Sequence, residues 1–254
     1  MIKPIIVGNW KLNGTKKRIK KFSKLLSLFL TQHNFKGTIA ISLPVIYSYI
    51  IKNLSIFKKK KIFLSAQNVD NHTLGSFTGE ISPNMLYDMM IKYVIIGHSE
   101  RRFNHQETNY IVANKFRLLK KENLIPILCI GETEQEKKDN KIKEICVKQI
   151  DTIFNMCGIH AFDNSIIAYE PIWAIGSHNS ANPLKAQFVA QFIRQYINSK
   201  LNYKIKNFFI QYGGSVTKNN ILELMSQKDI DGFLIGKASL KITEFIKILE
   251  LINI

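Results

Sequence analysis

Eight short runs of β-branched and aliphatic residues, each followed by a longer segment of helical periodicity, constrain this chain more than any other feature. The runs are Ile5 to Gly8, Thr38 to Ser42, Ile62 to Ala66, Tyr93 to Ile96, Ile125 to Ile130, Ser165 to Tyr169, Phe208 to Tyr212 and Ile230 to Ile235. Each is apolar on both faces and closed by glycine, asparagine or a polar residue, as strands buried on both sides of a parallel sheet are. Between them, Ile111, Phe116, Leu118 and Leu119 form one apolar face within a helix expected over Glu107 to Lys121. Phe188, Phe192, Ile193, Tyr196 and Ile197 form another, opened by Asn182-Pro183, an N-cap followed by proline at the first helical position.

Eight strand-then-helix units in 254 residues have the length and rhythm of a (β/α)8 barrel, an α/β fold. A doubly wound open sheet is the structural alternative, since alternation alone does not show closure. The dinucleotide fingerprint expected after a first strand is missing, because the chain there reads Gly8-Asn9-Trp10-Lys11-Leu12-Asn13-Gly14. Unit count favours the barrel. No linker, low-complexity stretch or composition break divides the chain, so one domain is expected over residues 1–254.

A hydrophobic fraction of 46% permits a sizeable core. No apolar run reaches the roughly 18 to 20 residues that span a bilayer, so no membrane partner is expected. The apolar N-terminal stretch lacks a small-residue cleavage site and reads as a strand rather than a signal peptide. Cys129, Cys146 and Cys157 have neither zinc-ligand nor disulfide-framework spacing, and a reducing cytoplasm is the expected compartment. The net charge of +17 attracts polyanions in general. Its densest run, Lys58 to Lys61, reads as a solvated connection, and no aromatic-interleaved basic stripe marks a specific nucleic-acid partner.

In a barrel, active-site groups lie at the carboxyl ends of the strands. That places Asn9-Trp10-Lys11 after the first run and Gly97-His98-Ser99-Glu100-Arg101-Arg102 after the fourth. Tyr169-Glu170-Pro171-Ile172-Trp173-Ala174-Ile175-Gly176 closes the sixth, Tyr212-Gly213-Gly214-Ser215 the seventh, and Ile235-Gly236-Lys237 the eighth. A cation, an imidazole, a carboxylate and two glycine turns thus converge on one mouth. Singly, each has a plain structural explanation: a hydrogen-bonded histidine, a strand end, a surface charge, a tight turn. Their coincidence at the strand ends of one barrel does not.

These segments, in this order, resemble the triosephosphate isomerase family. The similarity extends to Gln67-Asn68, to Gly75-Ser76-Phe77-Thr78-Gly79-Glu80 and to Cys129-Ile130-Gly131-Glu132, nearly the whole chain. It implies an aldose–ketose isomerase without cofactor or metal, acting on a small phosphorylated triose through an enediolate. Glu170 would then be the base that moves a proton between adjacent carbons. His98, with Lys11 and Asn9, would donate to the developing oxyanion. The resemblance also implies an uncharged imidazole at His98, the family itself being the standard instance of one kept neutral by a helix N-terminus. Phosphate would be held by backbone N–H groups of Gly176, Ser215, Gly236 and Lys237. Pro171, Ile172, Trp173, Ala174, Ile175, Gly176 and Ser177 would form a lid that excludes water. The loop carrying Thr78 would reach the Asn9 and Lys11 of a second subunit in a homodimer. Glu100, Arg101 and Arg102 read as structural ion-pair residues, with Glu100 a secondary proton carrier as the alternative.

Two positions depart from the family pattern. Lys237 stands where a second glycine is usual, so its backbone either avoids positive φ or is strained. His178, in Ser177-His178-Asn179-Ser180-Ala181, replaces a flexible glycine and is expected to alter lid kinetics. Two rivals are a different phosphate-binding barrel isomerase, disfavoured by the Asn-x-Lys and Glu-Pro pairs, and a non-catalytic polyanion binder suggested only by charge.

Overall fold

The computed structural model describes residues 4–52, 62–174 and 182–253. The strands are Ile5–Asn9 (β1), Thr38–Ser42 (β2), Ile62–Ala66 (β3), Ile91–Ile96 (β4), Ile125–Ile130 (β5), Ser165–Tyr169 (β6), Phe208–Tyr212 (β7) and Gly232–Ile235 (β8). Each pairs in parallel with the next, and β8 returns to β1 with Ile5 opposite Gly232. The sheet is a closed (β/α)8 barrel, and the doubly wound alternative is excluded. β4 begins two residues before the expected run. β8 begins later, at Gly232, because the Asp231 carboxylate takes the Ile210 N–H at 2.7 Å and ties it to Arg194 instead.

Alternation along the strands divides the core in two. Ile5, Val7, Ala40, Tyr93, Ile95, Ile127, Cys129, Ile166, Ala168 and Leu234 form one buried cluster. These are alternate residues of their strands, so they fill the barrel interior. Their neighbours Ile6, Ile39, Ile41, Val94, Ile96, Leu128, Ile130 and Ile167 belong to the larger cluster shared with the helices. Asn9 continues the inward series of β1 and Glu170 that of β6, so both emerge at the carboxyl end.

The described helices are Lys16–Gln32 (α1), Ser48–Lys52 (α2), Pro83–Asp88 (α3), Ser99–Asn104 (α4), Asn109–Lys121 (α5), Glu134–Lys138 (α6), Ile142–Cys157 (α7), Pro183–Ser199 (α8), Ile221–Met225 (α9) and Ile242–Leu251 (α10). None is long and apolar enough to cross a membrane. α5 starts two residues later than expected because Thr108 caps it, its hydroxyl accepting Ile111 N–H at 3.3 Å. α8 opens as expected, with Asn182 accepting Leu184 N–H at 2.9 Å ahead of Pro183. Its buried face differs: Ala186, Val189, Ala190, Ile193 and Ile197 pack inward while Phe188 is 54% exposed. The alanines bring the helix close to the barrel, and Lys143 sits 4.8 Å from the Phe188 ring outside. The lysine run at 58–61 lies outside the described residues.

Candidate active site

The mouth begins with β1. Asn9 is buried, and its side-chain oxygen accepts the Lys11 N–H at 3.0 Å. Lys11 has φ 51°, a left-handed conformation that costs a non-glycine residue on the order of 1–3 kcal/mol and persists only where neighbours enforce it. Gln67, just beyond β3, supplies that enforcement by donating 3.0 Å hydrogen bonds to the Lys11 and Ser42 carbonyls. The Lys11 ammonium is thereby aimed across the mouth, where it meets Glu100 Oε1 at 2.6 Å.

At the end of β4, Gly97 has φ 64°, and a Cβ there would stand 2.8 Å from Arg102 Nη2 and 2.9 Å from Val112. Only glycine makes this turn. The segment after His98 is the helix α4, with His98 at its N-cap. His98 Nδ1 accepts the Glu100 N–H at 3.2 Å. A ring nitrogen that accepts carries no proton, so the neutral tautomer places its hydrogen on Nε2. Nε2 faces Glu170 Oε1 at 3.4 Å, and the other carboxylate oxygen accepts the Ser99 N–H at 3.4 Å.

Glu170 is 2% exposed, and its N–H is tied to the Ile130 carbonyl at 2.8 Å. Gly213, at the end of β7, leaves room for it: a Cβ there would lie 2.7 Å from Glu170 Cγ. Below it, burial pushes the Cys129 thiol well above its usual range, and the Glu170 carboxylate adds to the effect. The expected ion pairs are present only in part. Arg101 Nε meets Glu107 Oε1 at 2.6 Å, and Lys115 Nζ meets the same oxygen at 2.6 Å. Burial opposes ionisation of Glu107, yet Lys115 and Arg101 together hold its carboxyl below the usual value. Arg102 instead donates to the Gly97 and Cys129 carbonyls and to Asn109 Oδ1, bracing the turn rather than pairing with an acid.

A cavity of about 450 Å³ joins Asn9, Lys11, His98 and Glu170 to Ser215, Gly236 and Lys237. Lys237 opens the 3-10 turn Lys237–Leu240 and is absent from the left-handed residues, so the strained alternative at this position falls away. Among the described residues, no acceptor takes the N–H of Ser215 or of Lys237. Of the lid segment, Ile172–Ala174 forms a 3-10 turn. Trp173 Nε1 donates to Glu132 Oε1 at 2.8 Å, and the Tyr169 hydroxyl to the same carboxylate at 3.2 Å. Burial pushes the Glu132 carboxyl up. Ile175, Gly176, Ser177 and His178 lie outside the described residues. Thr78 is exposed in the loop between β3 and α3, beside Leu74, which is 92% exposed.

Asn9, Lys11, His98, Glu170, Ser215, Gly236 and Lys237 therefore share one cavity, whereas Pro171, Ile172, Trp173 and Ala174 do not line it. Gln67, Glu132 and Gly213 were visible only as parts of similar segments. Position just beyond a strand end was the available signal for Gln67 and Gly213; the Glu132 contacts join residues distant in sequence and had none.

A closed barrel whose carboxyl-end cavity sets a buried carboxylate against an accepting imidazole and a lysine defines a barrel enzyme of the acid–base kind. The sequence profile described as Triosephosphate isomerase matches residues 4–252. The Triosephosphate isomerase of Buchnera aphidicola subsp. Cinara cedri is 65% identical over 254 residues, covering 100% of both chains. That of Wigglesworthia glossinidia brevipalpis is 50% identical over 257 residues, covering 99% of this chain and 97% of the relative. That of Blochmanniella floridana is 49% identical over 247 residues, covering 97% and 94%. The chain belongs to the triosephosphate isomerase family, and it is an aldose–ketose isomerase.

Proposed function

We propose that, in interconverting dihydroxyacetone phosphate and D-glyceraldehyde 3-phosphate, this chain uses Glu170 as the base that carries a proton between the two carbons of the substrate. The supporting observation is the approach of Glu170 Oε1 to His98 Nε2 at 3.4 Å inside the mouth cavity. A carbonyl oxygen lodged against the imidazole sets its carbon within reach of the carboxylate. Leaving the Ser99 N–H, the carboxylate removes the carbon-bound proton and an enediolate forms; His98 Nε2 gives its proton to the former carbonyl oxygen and takes one from the former hydroxyl, and Glu170 returns its proton to the neighbouring carbon. His98 Nε2–H, Lys11 Nζ and Asn9 donate to the oxygens on which charge develops. Lys11 exchanges its 2.6 Å contact with Glu100 for substrate oxygen in this step.

The phosphate is assigned to the backbone N–H groups of Ser215, Gly236 and Lys237, completed by Gly176 of the lid from Pro171 to Ser177. Two uncommitted N–H groups at one end of the cavity support this reading. The +17 charge favours encounter with a dianionic substrate. The chain acts as one domain over 1–254, in the cytoplasm, as a homodimer in which Thr78 reaches Asn9 and Lys11 of the partner subunit. Support for pairing comes from large apolar side chains exposed after four consecutive strands: Leu12 at 96%, Ile46 at 74%, Leu74 at 92% and Phe103 at 87%.

Glu170→Asp in a coupled triose phosphate assay tests the reading. Withdrawing the carboxylate by about 1 Å costs on the order of 10²-fold in rate. Unchanged turnover removes Glu170 as the base, and sedimentation showing a fully active monomer removes the dependence on a second subunit.

A further inference from the structure

At the opposite end of the barrel lies a second cavity, of about 290 Å³, walled by the first inward-facing layer and rimmed by polar groups. Its floor includes Ile125 and Phe209, and its polar lining Lys92, Tyr93, Asn164 and Asn207. The volume is close to the lower end of the range for small-molecule pockets, about 300 Å³.

Four features distinguish it from a gap in packing. The Lys92 ammonium is half-buried and reaches back over the Phe63 ring at 4.0 Å rather than out to solvent. No carboxylate side chain pairs with it among the described residues. Tyr93 is 4% exposed and lines the cavity, and its hydroxyl has no hydrogen-bond partner among the described residues. Asn164 and Asn207 both adopt left-handed backbones, φ 51° and 48°, and their amides join at 2.8 Å to form one edge of the rim.

Acids at this end of the barrel are already engaged. Asp163 Oδ1 accepts the Lys206 N–H at 2.7 Å and its other oxygen lies 3.4 Å from His160, while Asp231 is bound to Arg194 and the Ile210 N–H. Among the described lining residues, the Lys92 ammonium and the hydroxyls of Tyr93 and Thr38 are left without hydrogen-bond partners beside an apolar floor. Burial lowers the Lys92 ammonium and raises the Tyr93 phenol, to about 12, so both groups gain from an anion that accepts from them.

We propose that this cavity is a second ligand site, taking a compact monocarboxylate with an apolar or aromatic body whose carboxylate meets Lys92 Nζ and the Tyr93 hydroxyl. The apolar body lies against Phe209 and Ile125. A bare polyanion is disfavoured because half of the wall is hydrocarbon. The site is remote from the mouth residues, so its occupancy is independent of the isomerase reading.

The test uses benzoate as the probe on the whole protein, by calorimetry, with and without inorganic phosphate at a concentration that inhibits turnover. Benzoate is expected to bind one site per chain regardless of phosphate and without inhibiting the isomerase. Crystals soaked in 4-bromobenzoate are expected to show bromine anomalous density beside Phe209. Lys92→Met and Tyr93→Phe are each expected to weaken benzoate about tenfold, the effect of losing one charge-assisted hydrogen bond, with turnover as in the parent. Unaltered turnover also shows that the variants fold. Loss of binding when phosphate is present, parental affinity for benzoate in both variants, or no binding at all overturns the proposal.

Discussion

Gly213→Ala tests most directly whether the wall behind Glu170 sets the position of the base. The added Cβ would stand 2.7 Å from Glu170 Cγ and 3.3 Å from Oε1. Carbon atoms in contact prefer about 3.5–4.0 Å, so the side chain must move by roughly 1 Å. It cannot yield at its backbone, where the Glu170 N–H is held by Ile130 O at 2.8 Å. Gly213 has no positive φ, so alanine adds no backbone strain of its own. The displacement therefore falls on the carboxylate. A shift of about 1 Å at a reacting group lowers turnover on the order of 10²-fold, equivalent to roughly 3 kcal/mol of barrier. Stability is expected to fall by about 1–3 kcal/mol from overpacking, which thermal unfolding measures separately. In steady-state kinetics kcat carries most of the loss and KM little. Turnover within a few-fold of the parent, in a protein of near-parental melting temperature, would refute the claim that this wall places the base.

Two further outcomes follow from groups outside the reacting pair. Gln67→Ala removes both hydrogen bonds that hold the Lys11 turn and is expected to destabilise by about 1–3 kcal/mol while lowering kcat/KM, read by denaturant unfolding and initial rates. An unchanged kcat/KM would show that Lys11 keeps its aim without Gln67. Burial of Tyr93 raises its phenol from 10.0 to about 12, so the folded chain keeps a proton that the unfolded chain releases. The corresponding stability is present below pH 10 and lost as pH rises to 12, an alkaline decline of about 2 kcal/mol that Tyr93→Phe is expected to remove. Parallel alkaline unfolding curves for parent and variant would contradict it.

Much of this architecture could be read in advance because the signals are local. Five of the eight strands coincide with their apolar runs, and Asn182-Pro183 marked the start of α8 correctly. The discrepancies arise where a side chain competes with the backbone or where two elements meet. Asp231 shortens β8 by taking the Ile210 N–H, and Thr108 delays α5 by capping it. Phe188 satisfied the helical period yet faces outward, because the inward position was given to small residues that permit close approach. Arg102 looked like a partner for an acid, but its guanidinium is consumed by carbonyls of the Gly97 turn and of β5.

Residue order alone determined the strand-and-helix rhythm, and with it which polar groups stand at the carboxyl ends of β1, β4, β6, β7 and β8. Periodicity is a property of neighbours in the chain, so it needs no third dimension to be seen. Closure of the sheet was decided only by tertiary structure, because the pairing of β8 with β1 unites segments more than 200 positions apart. The same holds for the proton on His98 and the room for Glu170. Those depend on a helix N–H and on the missing side chain of Gly213, contacts made through space by residues whose own types do not announce them.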